Sequence, residues 1–118
     1  MKIKYVDLLR AVLPMKVLCQ KDGIPFLTAL DITKNKAALE AALNSYASQK
    51  NDLDEKYLQI KEGDSVISDG CEEAYLKALT ELNGDFADLD LVKIPPSALA
   101  SITLPPLFIQ SLSFMLDI

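Results

Sequence analysis

The chain has 118 residues, half of them apolar and a quarter charged, which is the size and composition of one folded domain. It contains no histidine, the usual general base at neutral pH and the commonest metal ligand, so we expect no catalytic residue, metal site or cofactor. Residues 60–118 hold three basic and ten acidic groups, a net −7 against +2 for residues 1–59, so we expect no direct binding of nucleic acid.

Residues 1–6 predict a short strand, and residues 7–22 predict a helix. In the first segment apolar residues alternate with lysines, which is the pattern of a half-exposed strand. Asp7 is a suitable N-cap for the helix, and Pro14 lies inside it. Because proline removes a backbone donor, we expect a kink near Pro14 or two shorter helical pieces.

The strongest pattern in the chain predicts one long helix over residues 25–60. Large apolar side chains recur there in alternating steps of four and three residues, with Lys50 in the single gap. This seam consists of Leu39, Leu43, Tyr46, Leu53, Tyr57 and Ile60. The helix would be about 50 Å long, whereas a compact chain of this length has a radius of gyration of about 13–14 Å. We therefore expect the helix to project beyond the body or to pair with another chain.

Three shorter elements follow an exposed, glycine-bounded connector at residues 63–70. A helix over residues 71–83 begins with acidic residues, which suit a helix N-terminus, and we expect it to pack antiparallel on the long helix. Alternation over residues 88–94 predicts a strand that pairs with the first one. A helix over residues 105–117 is apolar on nearly every side, so it is either buried or presents a surface to a partner.

Together these elements predict a single domain over residues 1–118 of the α+β class. The domain is mainly α: a long helix or helical hairpin packs with shorter helices and a small two-stranded β element.

The two cysteines are expected to be free thiols in a reducing compartment. The first residues of the chain do not form a signal peptide, and no apolar run reaches the length of about 18 residues that spans a bilayer. We therefore expect a cytoplasmic location and no membrane contact. Cys19 and Cys71 could still pair as a disulfide, which is the less favoured alternative.

Two groups of residues suggest chemistry but have simpler explanations. Asp85, Asp88 and Asp90 supply oxygen ligands, yet the glycine and bidentate glutamate of a calcium loop are missing at the required spacing. They are more typical of a solvated strand face. Cys71 at a helix N-terminus would be a reactive thiol, but the chain has no histidine to serve as its base. An enzyme is therefore the least favoured function.

Read as a whole, the chain resembles a group of small proteins of unknown function encoded by phages and prophages of Gram-positive gut and lactic bacteria. The resemblance extends over nearly the full length, and its most particular parts are Thr33-Lys34-Asn35 and the Ser113-Phe114-Met115 ending. The other matching segments are Lys2 to Leu9, Ile24 to Asn35, Leu53 to Tyr57, Lys93 to Pro95, Ile102 to Pro105 and Leu112 to Asp117. Where such proteins usually carry a longer charged insert, this chain has only its short connector. The resemblance implies a phage origin and a helical fold, and it brings no catalytic residues.

These patterns favour binding over catalysis. The candidate interaction surface consists of Leu39, Leu43, Tyr46, Leu53, Tyr57, Leu107, Phe108, Phe114 and Met115. Our leading hypothesis is a phage-encoded protein-interaction or assembly factor that self-associates, as a homodimer for example, through the long helix or the C-terminal helix. The alternative is an inhibitor that occludes a host defence enzyme or a nucleic-acid-handling enzyme, whose basic surface the acidic half would fit.

Overall fold

A computed structural model of the chain describes residues 1–117. Its helices are α1 (Tyr5–Cys19), α2 (Phe26–Tyr57), α3 (Glu72–Gly84) and α4 (Pro106–Ser111), and its strands are β1 (Lys2–Lys4), β2 (Leu58–Lys61), β3 (Asp64–Ile67) and β4 (Phe86–Asp88). Two 3-10 turns, Pro96–Leu99 and Ser113–Met115, lie in the C-terminal part. The predicted fold class is confirmed: the protein is α+β and mainly α, with one long helix and two small two-stranded antiparallel sheets, one more than predicted.

Helix α2 is the axis of the molecule. At 1.5 Å per residue its 32 residues span about 48 Å, close to the 53 Å long dimension of the whole chain. The radius of gyration is 17.5 Å, compared with about 13–14 Å for a compact chain of this length. The expectation that the long helix projects beyond a compact body is therefore confirmed.

Helix α1 runs antiparallel along the first half of α2. At one end Leu18 and Ile32 line the same cleft, and at the other the rings of Tyr5 and Tyr46 lie 5.3 Å apart. The helix starts two residues earlier and ends three residues earlier than predicted. It is continuous through Pro14, which is buried against its neighbours, so the alternative of two helical pieces is wrong.

Helix α3 runs antiparallel along the second half of α2, as the sequence predicted. The Tyr46 hydroxyl donates a hydrogen bond to Asn83 Oδ1 over 2.6 Å. Eight residues further along α2, Asp54 Oδ1 accepts a hydrogen bond of 2.8 Å from the Tyr75 hydroxyl. Helices α1 and α3 therefore divide the length of α2 between them, and they meet at Tyr46.

The C-terminal end of α2 differs from the prediction. The helix ends at Tyr57, and β2 begins at the next residue. Glu62 and Gly63 have φ angles of 54° and 84°, the backbone of a two-residue type I′ turn that joins β2 to β3. The segment 63–70, predicted to be an irregular connector, therefore supplies the second strand of a hairpin. Ile60 fits the helical recurrence only by coincidence, because it lies in β2 and its side chain is 81% exposed.

The predicted strand over residues 88–94 is mostly wrong. Strand β4 ends at Asp88 and pairs antiparallel with β1, so the predicted pairing with the first strand is present but shifted toward the N-terminus. Beyond β4 the chain has no continuous strand partner within the described residues. Asn35 of α2 bonds the backbone of Val92 instead, and Ile94 forms an isolated parallel bridge with Leu116.

The predicted helix over residues 105–117 is also too long. Helix α4 ends at Ser111, and a 3-10 turn carries the chain inward to Leu116. The backbone N–H of Ile94 donates to the Met115 carbonyl, and the carbonyl of Ile94 accepts from Asp117, each over 2.9 Å. A continued α-helix would keep these groups in its own hydrogen bonds, so the helix stops where the backbone is needed to hold Ile94.

The core is formed by α1, the first half of α2 and the C-terminal segment. Its largest fully buried apolar side chains are Leu8, Met15, Leu18, Ile94, Leu112 and Met115. Asn35 is the one buried polar residue of the described chain, with 1% of its surface exposed. Its side-chain Nδ2 donates to the Val92 carbonyl and its Oδ1 accepts from the Val92 N–H, each over 2.8 Å. The same Nδ2 lies 3.8 Å from the sulfur of Met115.

Replacing Asn35 by alanine should lower the free energy of unfolding by about 2 kcal/mol, because both backbone groups of Val92 lose their partner beside the core. Urea unfolding followed by circular dichroism measures this change. Asn44→Ala is the matched control, since Asn44 lies exposed on the same helix and its loss should cost less than about 0.5 kcal/mol. Equal losses for the two variants would contradict the role assigned to Asn35.

Candidate functional site

Most of the predicted interaction surface is used inside the chain. Leu39, Tyr46 and Met115 are buried, whereas Leu43, Leu53, Tyr57, Phe108 and Phe114 are half-buried. Only Leu107, at 68%, is exposed. The prediction is wrong for the three buried residues, because α1 and α3 cover the seam of α2 and the last 3-10 turn directs Met115 into the core.

The charge of the molecule is concentrated at one end. Residues 50–84 comprise the last part of α2, the β2–β3 hairpin and α3, and we call them the arm. The arm holds four basic and nine acidic groups, a net −5, whereas the rest of the chain holds eight of each and is neutral. The whole net charge of the protein therefore lies on the arm. Counting charge over the two halves of the sequence does not reveal this, since the boundary at residue 60 divides the arm.

Asp54 joins the two helices of the arm through a small polar cluster. Tyr75 donates to one of its carboxylate oxygens over 2.8 Å, and Lys50 donates to the other over 3.1 Å. Desolvation raises the pKa of Asp54, but the hydrogen bonds from Tyr75 and Lys50 outweigh it, so the pKa lies below its ordinary value. The bond to Asp54 is also the largest cause of the raised pKa of Tyr75. The lowered pKa favours the ionised form of Asp54, which links α2 to α3 through Tyr75.

The hairpin forms the outer end of the arm. It continues α2 without a linker, and the Ser68 N–H donates to the Tyr57 carbonyl over 2.8 Å at its base. The rings of Tyr57 and Tyr75 pack edge to face with centroids 6.1 Å apart, which ties that base to α3. Beyond it, β2 and β3 pair only with each other, and Ile60 is exposed. The hairpin therefore presents both unpaired strand edges to solvent within the described chain.

A second exposed feature lies at the opposite end of α2. Phe26 and Leu27 in its first turn are 76% and 73% exposed, and Leu30 one turn further on is also exposed. We call these three residues the end patch.

A pocket of about 150 Å³ opens in the C-terminal part of the body. Its lining is entirely apolar: Leu18, Pro96, Leu99, Ile102, Leu104, Ile109, Leu112 and Leu116.

The cysteines do not form a pair. Cys19 lies near Thr33 of α2, whereas Cys71 precedes the helix whose Tyr75 contacts Asp54. Those two positions of α2 are about 30 Å apart along the helix, far beyond the reach of a disulfide. Desolvation raises the pKa of the Cys19 thiol, which disfavours the reactive thiolate.

Residues 1–117 bring together no group of three cysteine or acidic side chains able to hold a metal ion. Asp85, for example, accepts a hydrogen bond from the adjacent Phe86 N–H, and it does not converge with Asp88 and Asp90 on one point. Over the same residues, none of the helices is both long enough and apolar enough to cross a membrane.

Replacing Tyr75 by phenylalanine should raise the pKa of Asp54, since one of the hydrogen bonds that favour its ionised form is lost. A carboxylate with a lowered folded-state pKa stabilises the fold above about pH 4 and loses that effect as the pH falls. The variant should therefore lose about 0.5–1 kcal/mol at pH 7 and less at pH 3. Carbon-13 NMR titration of the carboxyl groups and urea unfolding at both pH values measure the two effects.

Tyr57→Phe is the matched control, because it removes a hydroxyl from the other ring of the aromatic pair and leaves the Asp54 bond in place. An unchanged Asp54 pKa in the Tyr75→Phe variant would show that the Tyr75 hydroxyl does not lower it.

Comparison with family models, with curated proteins and with solved structures gave no match for this chain. The resemblance to small phage proteins therefore stays a prediction from the sequence. The features of the structure that bear on function are the arm, the hairpin and the end patch.

Proposed function

We propose that this protein is a non-enzymatic protein-interaction factor that binds the basic surface of a protein partner with its acidic arm. The observation that carries the proposal is the placement of the whole net charge of −5 on residues 50–84 while the rest of the chain is neutral. The charge therefore occupies one end of an elongated molecule. This concentration of charge gives the arm a negative electrostatic potential, which a basic surface complements.

The construction of the arm supports binding as a preformed surface. Helices α2 and α3 are joined within the arm by the 2.8 Å hydrogen bond between Tyr75 and Asp54, and where the arm meets the body by the 2.6 Å hydrogen bond between Tyr46 and Asn83. A surface that is already ordered loses little conformational entropy when it binds. The acidic side chains at its outer end, among them Glu62, Glu72 and Glu73, are exposed and free to meet cationic groups.

The partner class that fits best is a nucleic-acid-handling protein. Such proteins carry clustered lysine and arginine side chains for phosphate groups, and an acidic surface competes for the same cations. If the chain is phage-encoded, as its resemblance implies, the partner is a host protein in the bacterial cytoplasm and binding blocks its nucleic-acid surface. This is the inhibitor hypothesis, and the charge on the arm favours it. Assembly through the seam of α2 is less favoured, because the seam is covered by other parts of the chain.

Neutralising the arm should weaken binding far more than neutralising the body by the same amount. The arm variant combines Glu62→Gln, Glu72→Gln and Glu73→Gln, and the matched body variant combines Asp22→Asn, Asp31→Asn and Glu40→Gln. Each triple variant has a net charge of −2, compared with −5 for the wild type. With a DNA-bound lysine-rich peptide as probe, the wild type and the body variant should displace the DNA at low salt. The arm variant should need about tenfold more protein, and high salt should abolish the effect for all three.

Equal displacement by the arm and body variants would contradict the proposal, because net charge rather than its placement would then govern binding. Capture from a bacterial lysate gives the second readout. The wild type and the body variant should retain nucleic-acid-binding proteins that elute with salt, and the arm variant should not. Retention of the same proteins by all three would also count against a role for the arm.

Self-association is the second candidate function, and the end patch is what favours it. Phe26, Leu27 and Leu30 form an exposed apolar cluster on adjacent turns, and aromatic and aliphatic clusters of this kind are typical centres of protein interfaces. The patch belongs to the neutral body, so two copies can meet there without bringing their acidic arms together.

If the end patch mediates self-association, light scattering at tens of micromolar should give twice the chain mass of 13.0 kDa. The combined change Phe26→Ser and Leu27→Ser should return the protein to a monomer, since it removes the apolar area that the contact would bury. Ile60→Ser is the matched control, because it removes an exposed apolar side chain from β2, beyond the other end of α2. A monomeric wild type, or a dimer that persists in the double variant, would rule out this interface.

A further inference from the structure

We propose that an extended, lysine- or arginine-rich segment of the partner adds to strand β3 as a third strand of the β2–β3 hairpin. This inference rests on the proposed function, because it names the part of the arm that recognises the partner and the kind of segment recognised. A two-stranded hairpin is marginally stable alone, whereas three strands form a stable sheet. Adding a strand to an exposed sheet edge is a common mode of peptide recognition.

The register of the hairpin determines which backbone groups are free. Lys61 pairs with Asp64 across the two-residue turn, and Gln59 pairs with Val66. A two-residue turn is closed by a hydrogen-bonded pair, and such pairs alternate with non-bonded ones along antiparallel strands. The Ser68 N–H bond to the Tyr57 carbonyl fits the same alternation.

Ser65 and Ile67 therefore direct their backbone N–H and C=O groups away from β2. Within residues 1–117 no backbone group outside the hairpin bonds to either of them. Four main-chain groups, two donors and two acceptors, are thus in place for an incoming strand. A row of this kind is the template that natural proteins normally cover or block.

Charge selects β3 rather than β2 as the recognition edge. Strand β2 ends in Lys61 and follows Lys56 of α2, and lysine beside an edge strand discourages pairing with basic chains. Strand β3 has no lysine, begins at Asp64 and is followed by Asp69. An incoming strand with cationic side chains at alternate positions would place them near these carboxylates while its backbone bonds to Ser65 and Ile67.

A second copy of the chain is a poorer occupant of the same edge. Pairing β3 with β3 would bring together two arms that each carry −5, and like charges opposed across a sheet are destabilising. A basic segment gains the attraction that a second copy lacks.

The test uses the intact protein and a short, capped peptide of alternating lysine and valine. Peptide binding should slow the hydrogen exchange of the Ser65 and Ile67 amides, followed by NMR. Ser65→Pro removes an outward donor without removing a hydrogen bond of the hairpin, so it should weaken binding about tenfold. Ile60→Pro is the matched control, because Ile60 occupies the equivalent outward position on β2 and its loss should leave the affinity within about twofold.

A second probe separates strand addition from charge attraction. The same peptide, methylated on every backbone nitrogen, keeps its charge but cannot donate to the Ser65 and Ile67 carbonyls from either of its edges. Its affinity should fall at least about tenfold, and that result stands even if Ser65→Pro disturbs the hairpin. Equal binding of the methylated peptide would overturn strand addition and leave the proposed function of the arm intact. Absence of any binding by the lysine peptide would overturn both. Protection of Ser65 and Ile67 that grows with protein concentration in the absence of peptide would overturn the proposal by assigning the edge to a second copy.

Discussion

The side chain of Asn35 takes the place of a missing strand. Between β4 and the first 3-10 turn the chain has no helix or strand, and Val92 has no strand partner for its backbone in the described part of the chain. A helix cannot offer main-chain groups to a neighbour, because its own hydrogen bonds use them. The carboxamide of Asn35 supplies a donor and an acceptor at the distance of a strand pair, so a helix forms a sheet-like contact at one point.

The position of the whole C-terminal segment depends on this contact. With Val92 fixed, Ile94 enters the core and is held from its other side by residues 115–117, and Met115 in turn lies against Asn35. The segment closes the body without a long helix of its own. This leaves the last part of α2 to α3 and the hairpin, with which it forms the arm.

The sequence predicts the elements whose signals are local and periodic. The seam from Leu39 to Tyr57 identifies α2, and the alternation around Ile3 identifies β1. The elements that it does not predict depend on contacts between distant residues. A lone buried asparagine has no sequence signal, and the hairpin is hidden because Ile60 continues the helical spacing.

The signals of the hairpin and of the arm are present in the sequence, but stronger patterns compete with them. Gly63 between the segment with Ile60 and the segment with Val66 and Ile67 is a turn signal that a long helical period outweighs. The apolar pattern of the seam does not show whether another chain or the same chain packs on it. In this protein, α1 and α3 of the same chain pack on the seam. Counting charge within elements rather than within halves of the sequence isolates the arm.

The separation of a neutral body from a charged arm has a mechanical consequence. In the field of a basic surface, a uniformly charged particle is only pulled, whereas a molecule 53 Å long with its charge at one end also experiences a torque. Near such a surface, this torque would turn the molecule so that the hairpin leads. Orientation is the main restriction on the rate at which two proteins associate, so an elongated shape with charge at one end removes part of that restriction before contact. Helix α2, which gives the molecule its length, thus also provides the separation of charge that orients the molecule.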